Sequence, residues 1–497
     1  LQAKNIINKI LEKKINMNRD IIFLIMSRAI QVFSSLISLR LMTTLLNDNE
    51  LGTYYLFISL YMFASLSVFN PYGQYINRNT HKWRRNGFLL PWLNKYMIFV
   101  IFFSIFFSIA WGGYQYFAHK EIPLFLVVIC CAYFISITIN QFLLYTLNIL
   151  NDRIAFSLLT ILTAVLGLLG SLFLLQSNLF DINNSYLWLL GIIIANSISY
   201  FIAWGFLRKS GVPFSNSKIE SVNYQDIFNF CIPIAVSTFF LWLINFGYRF
   251  GVETLMGLAY LGIIAVVFTV SSQIMSVVES LIVQILQPQL FQKIDSPNAS
   301  DRIKILNKYI NETIAVYFCM AIFCSFFIYY IFLFLVDKKF ILFSHIGIIA
   351  VWFDFFRIST NSLSMVFFSE KNMKKMIFPY ACGGVFLILS FSILTFLIKN
   401  NPKAADAIPF IIATSSIVTF FICLISTRMY GTIKIMFPFI FKRVLFISPI
   451  LIGAILLPKI DSINTQSVMI VGIVSVGYCL FFLMSIIYIK YTDNSVK

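Results

Sequence analysis

Six ionisable side chains stand inside long apolar stretches of this 497-residue chain: Arg28, Arg40, Arg249, Arg357, Glu279 and Asp354. Facing lipid, each would cost about 2.5 kcal/mol or more, and the six together on the order of 15 kcal/mol, comparable to the stability of a whole domain. They must face protein or water. All four cations are arginine although the chain holds 24 lysines to 13 arginines. The planar guanidinium is the side chain suited to gripping a phosphate or carboxylate with two parallel hydrogen bonds. Glu279 and Asp354 are the acids placed to carry a coupling ion such as a proton.

Other polar residues fall in step with these charges at helical spacing. Arg28, Gln31, Ser35 and Ser38 form one series, and Thr238, Trp242, Asn245 and Arg249 a second. Ser272, Ser276, Glu279 and Gln287 roughly form a third, and Asp354, Arg357, Asn361 and Ser364 a fourth. A spacing of three to four puts each set on one helix face, which predicts polar stripes lining a cavity. Thr138, Gln141, Tyr145 and Asn148 extend the pattern to a fifth helix. The candidate substrate contacts are therefore Arg28, Arg40, Arg249, Arg357, Gln31, Asn245, Asn361 and Trp242, with Glu279 and Asp354 for ion coupling. A purely structural reading stands beside this one: Asp354 and Arg357, three residues apart, can neutralise each other, Arg28 can pair with Glu279, and Arg40 and Arg249 can reach headgroups.

The elements that must position these residues are membrane spans. Hydrophobic residues make up 59% of the chain and charged ones 11%. No soluble core absorbs that composition, whereas repeated spans of about 20 residues do. Apolar windows predict fourteen helices: 20–46, 50–77, 90–118, 122–150, 154–176, 186–207, 226–252, 257–287, 309–336, 341–369, 376–398, 407–427, 438–457 and 468–489. The thirteenth needs Lys442 and Arg443 to snorkel. No cleavable signal precedes the first span, and residues 1–19 alternate Ile and Leu with Lys, as an amphipathic helix on the inner membrane surface would, or a frayed basic tail.

This map sorts the charges. Of the 37 basic residues, 27 fall in the termini and loops of one side, six on the other, and four within spans. By the positive-inside rule both termini are cytoplasmic, and the net charge of +17 expresses topology and contact with anionic lipid rather than a nucleic-acid surface. The eight cysteines lie in apolar runs without paired spacing, and His81, His119 and His345 are scattered, so neither a disulfide framework nor a metal site is expected. No cofactor is called for, and no G-x-x-x-x-G-K-[ST] loop offers a nucleotide site.

An internal repeat is suggested by "LLNDNELGTYYL" after the first span and "GVETLMGLAYLG" after the seventh. Placing Gly52 on Gly257 aligns Tyr55 with Tyr260 and Leu56 with Leu261. Six spans separate the two starts, so the repeat is parallel. The domains expected are a cytoplasmic amphipathic segment (1–19), a first lobe of six helices (20–209), a linker (210–225), a second lobe (226–428) and an extra helix pair with tail (429–497). Pro233 and Pro288 are candidate kinks.

A first helix with internal arginine, the Leu-Gly-x-x-Tyr turn after it, "FNPYGQYINR" at 69–78 and "FNFCIPIAVS" at 228–237 together resemble the polysaccharide flippases. These are the Wzx-type O-antigen exporters of the multidrug/oligosaccharidyl-lipid/polysaccharide superfamily. The resemblance implies an all-α polytopic membrane protein of about fourteen transmembrane helices, with two parallel six-helix lobes around a central cavity and a C-terminal helix pair. It implies a transporter rather than an enzyme, in the bacterial inner membrane. It also implies carriage of undecaprenyl-pyrophosphate-linked oligosaccharide repeats across the bilayer by alternating access, alongside the pathway's polymerase and chain-length proteins, and no nucleic acid. Three other readings remain open: a lipid-linked peptidoglycan precursor flippase, a multidrug exporter of the same superfamily, and a membrane-embedded glycan polymerase. An arginine in the first helix disfavours export of organic cations, and no loop shows the paired carboxylates or histidines that a polymerase needs.

Overall fold

The structure is a computed structural model that describes residues 2–119, 124–177, 182–209, 224–294, 299–370, 373–429, 434–436, 438–439 and 441. Among these residues regular structure is helical throughout. The helices are α1 (Gln2–Leu45), α2 (Asp48–Arg85), α3 (Leu89–His119), α4 (Leu124–Ile149), α5 (Arg153–Ser177) and α6 (Asn184–Lys209). Then follow α7 (224–256), α8 (258–294), α9 (Ala299–Leu335), α10 (Ser344–Ser369), α11 (Ile377–Asn400) and α12 (Ile408–Arg428). Among the described residues eleven helical stretches are long and apolar enough to cross a bilayer, α7 and α8 together counting as one, Tyr224–Val283. The twelve helices correspond to the first twelve predicted spans. The linker at 210–223 and nearly all of the last two predicted helices lie outside the described residues. No break separates residues 2–19 from the span that follows them, since α1 runs unbroken for 44 residues.

The chain packs as two compact units. The first comprises Leu1–Ser38 and Thr53–Trp242; the second comprises Leu39–Gly52 and the chain from Leu243 onward. The tip of α1 and the first turn of α2 therefore belong with the second unit.

In the first unit, α2 contains a π turn, Ser65–Phe69, in which the Asn70 N–H bonds to the carbonyl of Ser65, five residues back. Pro71 follows and has no N–H to meet the next carbonyl, that of Leu66. The Thr238 hydroxyl donates to that oxygen instead, at 2.8 Å, and one turn on, the Trp242 indole N–H donates to the Ser59 carbonyl, also at 2.8 Å. The "FNPYG" stretch thus creates an acceptor that α7 fills. Elsewhere α5 and α6 approach closely where Gly170 meets the Gly191 backbone and the Ser171 hydroxyl bonds to the Trp188 carbonyl at 2.8 Å. On the basic side, Trp83 of α2 stacks on Trp92 of α3 with ring centroids 4.6 Å apart.

In the second unit, α7 and α8 are divided at Gly257, whose φ of +80° is readily available only to glycine. The start of α2 crosses the start of α8 with backbones in contact. A side chain at Gly52 would strike the Leu258 carbonyl, and one at Gly262 would strike the Asp48 carbonyl. The contact is reciprocal: the fifth residue of each helix sits on the first residue of the other. This aligns Leu51-Gly52 with Leu261-Gly262, an offset of 210 residues. Alignment of Gly52 with Gly257 is therefore corrected: one glycine makes a crossing and the other a break.

Hydrogen bonds and one ion pair fasten the tip of α1 to the end of α9. The Asn47 side chain caps α2 by accepting from Glu50 N–H, while the Glu50 carboxylate accepts from Asn47 N–H, both at 2.9 Å, a reciprocal cap. Thr43 accepts from the Asp337 N–H at 3.0 Å. The Lys339 ammonium pairs with Asp48 at 2.8 Å and reaches the Leu46 carbonyl at 3.4 Å.

Candidate functional site

In the first unit, Arg28 is exposed, and its guanidinium donates to the Gln31 side-chain oxygen at 2.9 Å. Its partner is a neutral amide one turn on, and among the described residues no carboxylate lies within ion-pair distance. On α4, Gln141 and Tyr145 are exposed, whereas Thr138 is buried. The sequence stripe there is divided between solvent-facing and interior positions. Asn140, which the spacing did not single out, donates to Asn196 of α6 at 2.9 Å.

The stripe read along α7 is also divided, for a definite reason. A second π turn, Leu243–Gly247, interrupts the helix directly after Trp242. One extra residue per turn rotates everything beyond it off the face that a regular helix would present. Thr238 and Trp242 accordingly bond to α2 in the first unit, while Asn245 and Arg249 belong to the second. Arg249 is 5% exposed, with its guanidinium 5.2 Å from the Phe246 ring centroid and 5.8 Å from that of Tyr248. Such stacking suits the weakly hydrated, planar arginine cation.

The second unit gathers four of the selected residues into one cluster. Arg357 donates through Nε to Asp354 at 2.8 Å, with the carboxylate wholly buried, and a second guanidinium nitrogen lies 3.9 Å from Glu279. Asn361 donates to the other oxygen of Glu279 at 2.8 Å and accepts from the Tyr380 hydroxyl at 3.2 Å. Regular helix geometry makes this possible, because Asp354, Arg357 and Asn361 lie three and four residues apart on α10 and face α8. Two carboxylates around one guanidinium leave a formal charge of −1. Arg357 is engaged by acids, and the site's surplus is anionic. Tyr380, on α11, was not legible from spacing because it arrives from a different helix.

Arg40, near the C-terminal end of α1, donates to the Leu333 carbonyl at 3.4 Å, in the last turn of α9. That turn's carbonyls lack helical partners and carry partial negative charge, so a cation there is favourable. The Gln287 amide on α8 contacts the Met365 sulfur at 3.8 Å.

A groove of about 250 Å³ lies in the second unit between α7 and α11, beside Gly247, Gly251, Tyr248 and Phe391. None of the ten residues chosen from the sequence lines it. Its hydroxyls at Thr254, Ser392 and Thr395 bond back to their own helices. Among the described residues no cluster of His, Cys, Asp and Glu is arranged to hold a metal ion.

Neither a protein-family model nor a curated protein sequence matches the chain. Solved structures do. The lipid II flippase MurJ in an inward closed conformation aligns with a TM-score of 0.65 at 14% identity, over 95% of this chain and 99% of that one. A MATE transporter in complex with MaL6 aligns at 0.53 and 12%, over 82% of this chain and 94% of that one. A transporter of the same superfamily from Pyrococcus furiosus, described with a binding pocket of reverse polarity, aligns at 0.51 and 11%, over 82% and 93%. At such identities the likeness is one of fold: this chain has the fold of these solved transporters.

Proposed function

We propose that the protein is a flippase that carries an undecaprenyl-pyrophosphate-linked oligosaccharide, the repeat unit of a surface polysaccharide such as O-antigen, from the cytoplasmic to the outer leaflet of a bacterial inner membrane. The observation that supports this most directly is Arg28: an exposed cation in the first helix of a transporter fold, with a neutral amide as its side-chain partner among the described residues. A diphosphate in transit needs such counter-charges, and forked guanidinium bonds to it add about 1.5–3 kcal/mol each. Gln31, beside it on the same helix, is the second contact in this reading, and alternating access moves the cargo between leaflets with both termini cytoplasmic. Arg357 takes a different part in this reading. With Asp354 it forms a neutral fixed pair, beside which Glu279, the more exposed of the two acids (21% against 0%), exchanges a coupling cation.

A second reading, transport of the lipid-linked peptidoglycan precursor, is favoured by coverage. The lipid II flippase aligns over 95% of this chain, while the MATE transporter aligns over 82%. Both readings share a polyprenyl-diphosphate cargo, and lipid analysis separates them. Cells depleted of the protein are expected to accumulate a complete lipid-linked oligosaccharide and to lose surface polymer, with a polymerase-deficient control retaining outward-facing repeats. Accumulation of the peptidoglycan precursor instead selects the second reading. Unchanged lipid-linked glycans with altered drug sensitivity would sink both and indicate a multidrug exporter.

A further inference from the structure

The basic end of α2 continues well past the length a bilayer requires. Its 38 residues extend about 57 Å at 1.5 Å per residue, against a hydrocarbon core of about 30 Å. The last part, Asn70–Arg85, buries Pro71, Gly73, Ile76, Thr80 and Trp83 on one face. The opposite face exposes Gln74, Arg78, His81 and Arg85, spaced four, three and four apart. The two arginines, Arg78 and Arg85, stand about 10 Å apart along the helix, with His81 between them. The Trp83–Trp92 stack and the 4.4 Å seat of the Lys95 ammonium over Trp92 hold the underside of this hairpin.

A second element adjoins the basic face. The Arg78 guanidinium lies 5.7 Å from the Phe230 ring centroid on α7, and the Tyr75 ring lies 5.7 Å from the same ring. One turn earlier on α7, Tyr224 and Phe228 are 70% and 61% exposed. Large exposed rings beside cations are the composition of a surface that sits at headgroup level, with apolar area for a chain and charge for its phosphates. Residues 70–96 of this hairpin contain no acid, and the adjoining stretch of α7, 224–242, contains one, Asp226.

We propose that this edge, Arg78, His81 and Arg85 on α2 with Tyr224 and Phe228 on α7, is a docking surface for the diphosphate headgroup and first isoprenes of a polyprenyl-diphosphate lipid in the inner leaflet. The proposal rests on the cargo class given above and adds a place where that cargo is held before translocation. A phospholipid phosphate carries one negative charge and one cation suffices for it. A diphosphate carries two or more, which the two arginines within two turns of one helix match. The stacked position of Arg78 on Phe230 limits its rotamers before a ligand arrives, which reduces the ordering cost of binding.

The test places a photo-reactive p-benzoylphenylalanine at Gln74, on the same face, in otherwise full-length protein in phosphatidylcholine vesicles. Undecaprenyl diphosphate and undecaprenol serve as probes, with adducts counted by mass spectrometry. The diphosphate is expected to give at least about tenfold more adduct than the alcohol, and the Arg78→Gln/Arg85→Gln pair to remove that excess, the scale of one charge-assisted bond or more. Equal labelling by both probes, or unchanged labelling in the double variant, overturns the proposal. So does loss of the adduct on adding a tenfold excess of phosphatidylglycerol, which reassigns the face to ordinary anionic lipid. Depletion separates the levels: accumulated lipid-linked glycan without an adduct removes this docking surface alone, whereas no accumulation removes the cargo reading beneath it.

Discussion

The two units meet the same problem, polar groups inside a membrane, with different chemistry. The first uses neutral bonds: a threonine hydroxyl and a tryptophan N–H on carbonyls of α2, and an asparagine pair between α4 and α6. It leaves its arginine, Arg28, exposed beside Gln31. The second uses ions, closing Arg357 between Asp354 and Glu279 and holding the α1 tip with Lys339 and Asp48. The lesson is that an arginine within a span does not by itself mark a ligand site. Its partners decide whether the charge is spent on structure or kept for a substrate.

The largest effect that would test this contrast is at Asp354. Asp354→Ala removes the buried carboxylate at 2.8 Å from Arg357 and leaves the guanidinium only the longer 3.9 Å contact with Glu279; breaking a buried ion pair costs up to about 3–5 kcal/mol. A marked fall in melting temperature in detergent is expected, with most of it recovered in Asp354→Leu/Arg357→Met, where the ion pair is replaced by apolar volume. A stable single variant would mean that the pair is not structural.

At Arg28 the expected loss appears in transport and not in stability. Arg28→Ala removes an exposed side chain and should change stability by no more than about 0.5 kcal/mol. If the guanidinium grips a diphosphate, flipping falls by about tenfold or more, the equivalent of 1.5–3 kcal/mol. Arg28→Lys recovers part of the rate, because the charge returns but the fork does not. Full transport by the alanine variant at normal protein level would return Arg28 to a merely topological role.

Gly262→Ala examines the crossing that brings α1, α2 and α8 together. A methyl group there meets the Asp48 carbonyl, and forcing helix backbones apart costs about 1–3 kcal/mol. Gly257→Ala meets no atom within 4 Å but must adopt φ of +80° with ψ of 176°, a region open essentially to glycine alone, which costs about 1–3 kcal/mol. Equal melting temperatures for wild type and the Gly262 variant would show that the crossing is looser than drawn.

Much of the fold was legible because it rests on hydrophobic length, which a bilayer fixes. Twelve spans follow from apolar windows alone, down to the break between α7 and α8. The site was legible only where one regular helix carried it. Asp354, Arg357 and Asn361 share a face of α10 as their spacing required, and Glu279 meets them from α8. The Thr238 to Arg249 stripe failed at a π turn, which leaves hydropathy unchanged while rotating the side chains beyond it. The repeat was misregistered by five residues for a similar reason. Gly52 and Gly262 are equivalent through a backbone contact, and a glycine chosen for close approach looks the same in sequence as one chosen for positive φ.

The smallest expected effect lies at the α1 tip, where the ionic strategy of the second unit reaches its exposed edge. Lys339 and Asp48 are 2.8 Å apart, yet their side chains are 40% and 37% exposed, so water and salt screen the pair and Lys339→Gln should cost only about 0.2–1 kcal/mol. The Lys339 ammonium also reaches the Leu46 carbonyl beyond the last turn of α1, a contact that glutamine's amide can partly keep. Raising salt should therefore narrow the difference between wild type and variant, whereas the Asp354 variant, with its charge buried, should keep its deficit at any ionic strength. If the Lys339 variant instead showed a large, salt-independent loss, the edge pair would behave as a buried one. The distinction between exposed and enclosed charge, on which the reading of Arg28 depends, would then have to be redrawn.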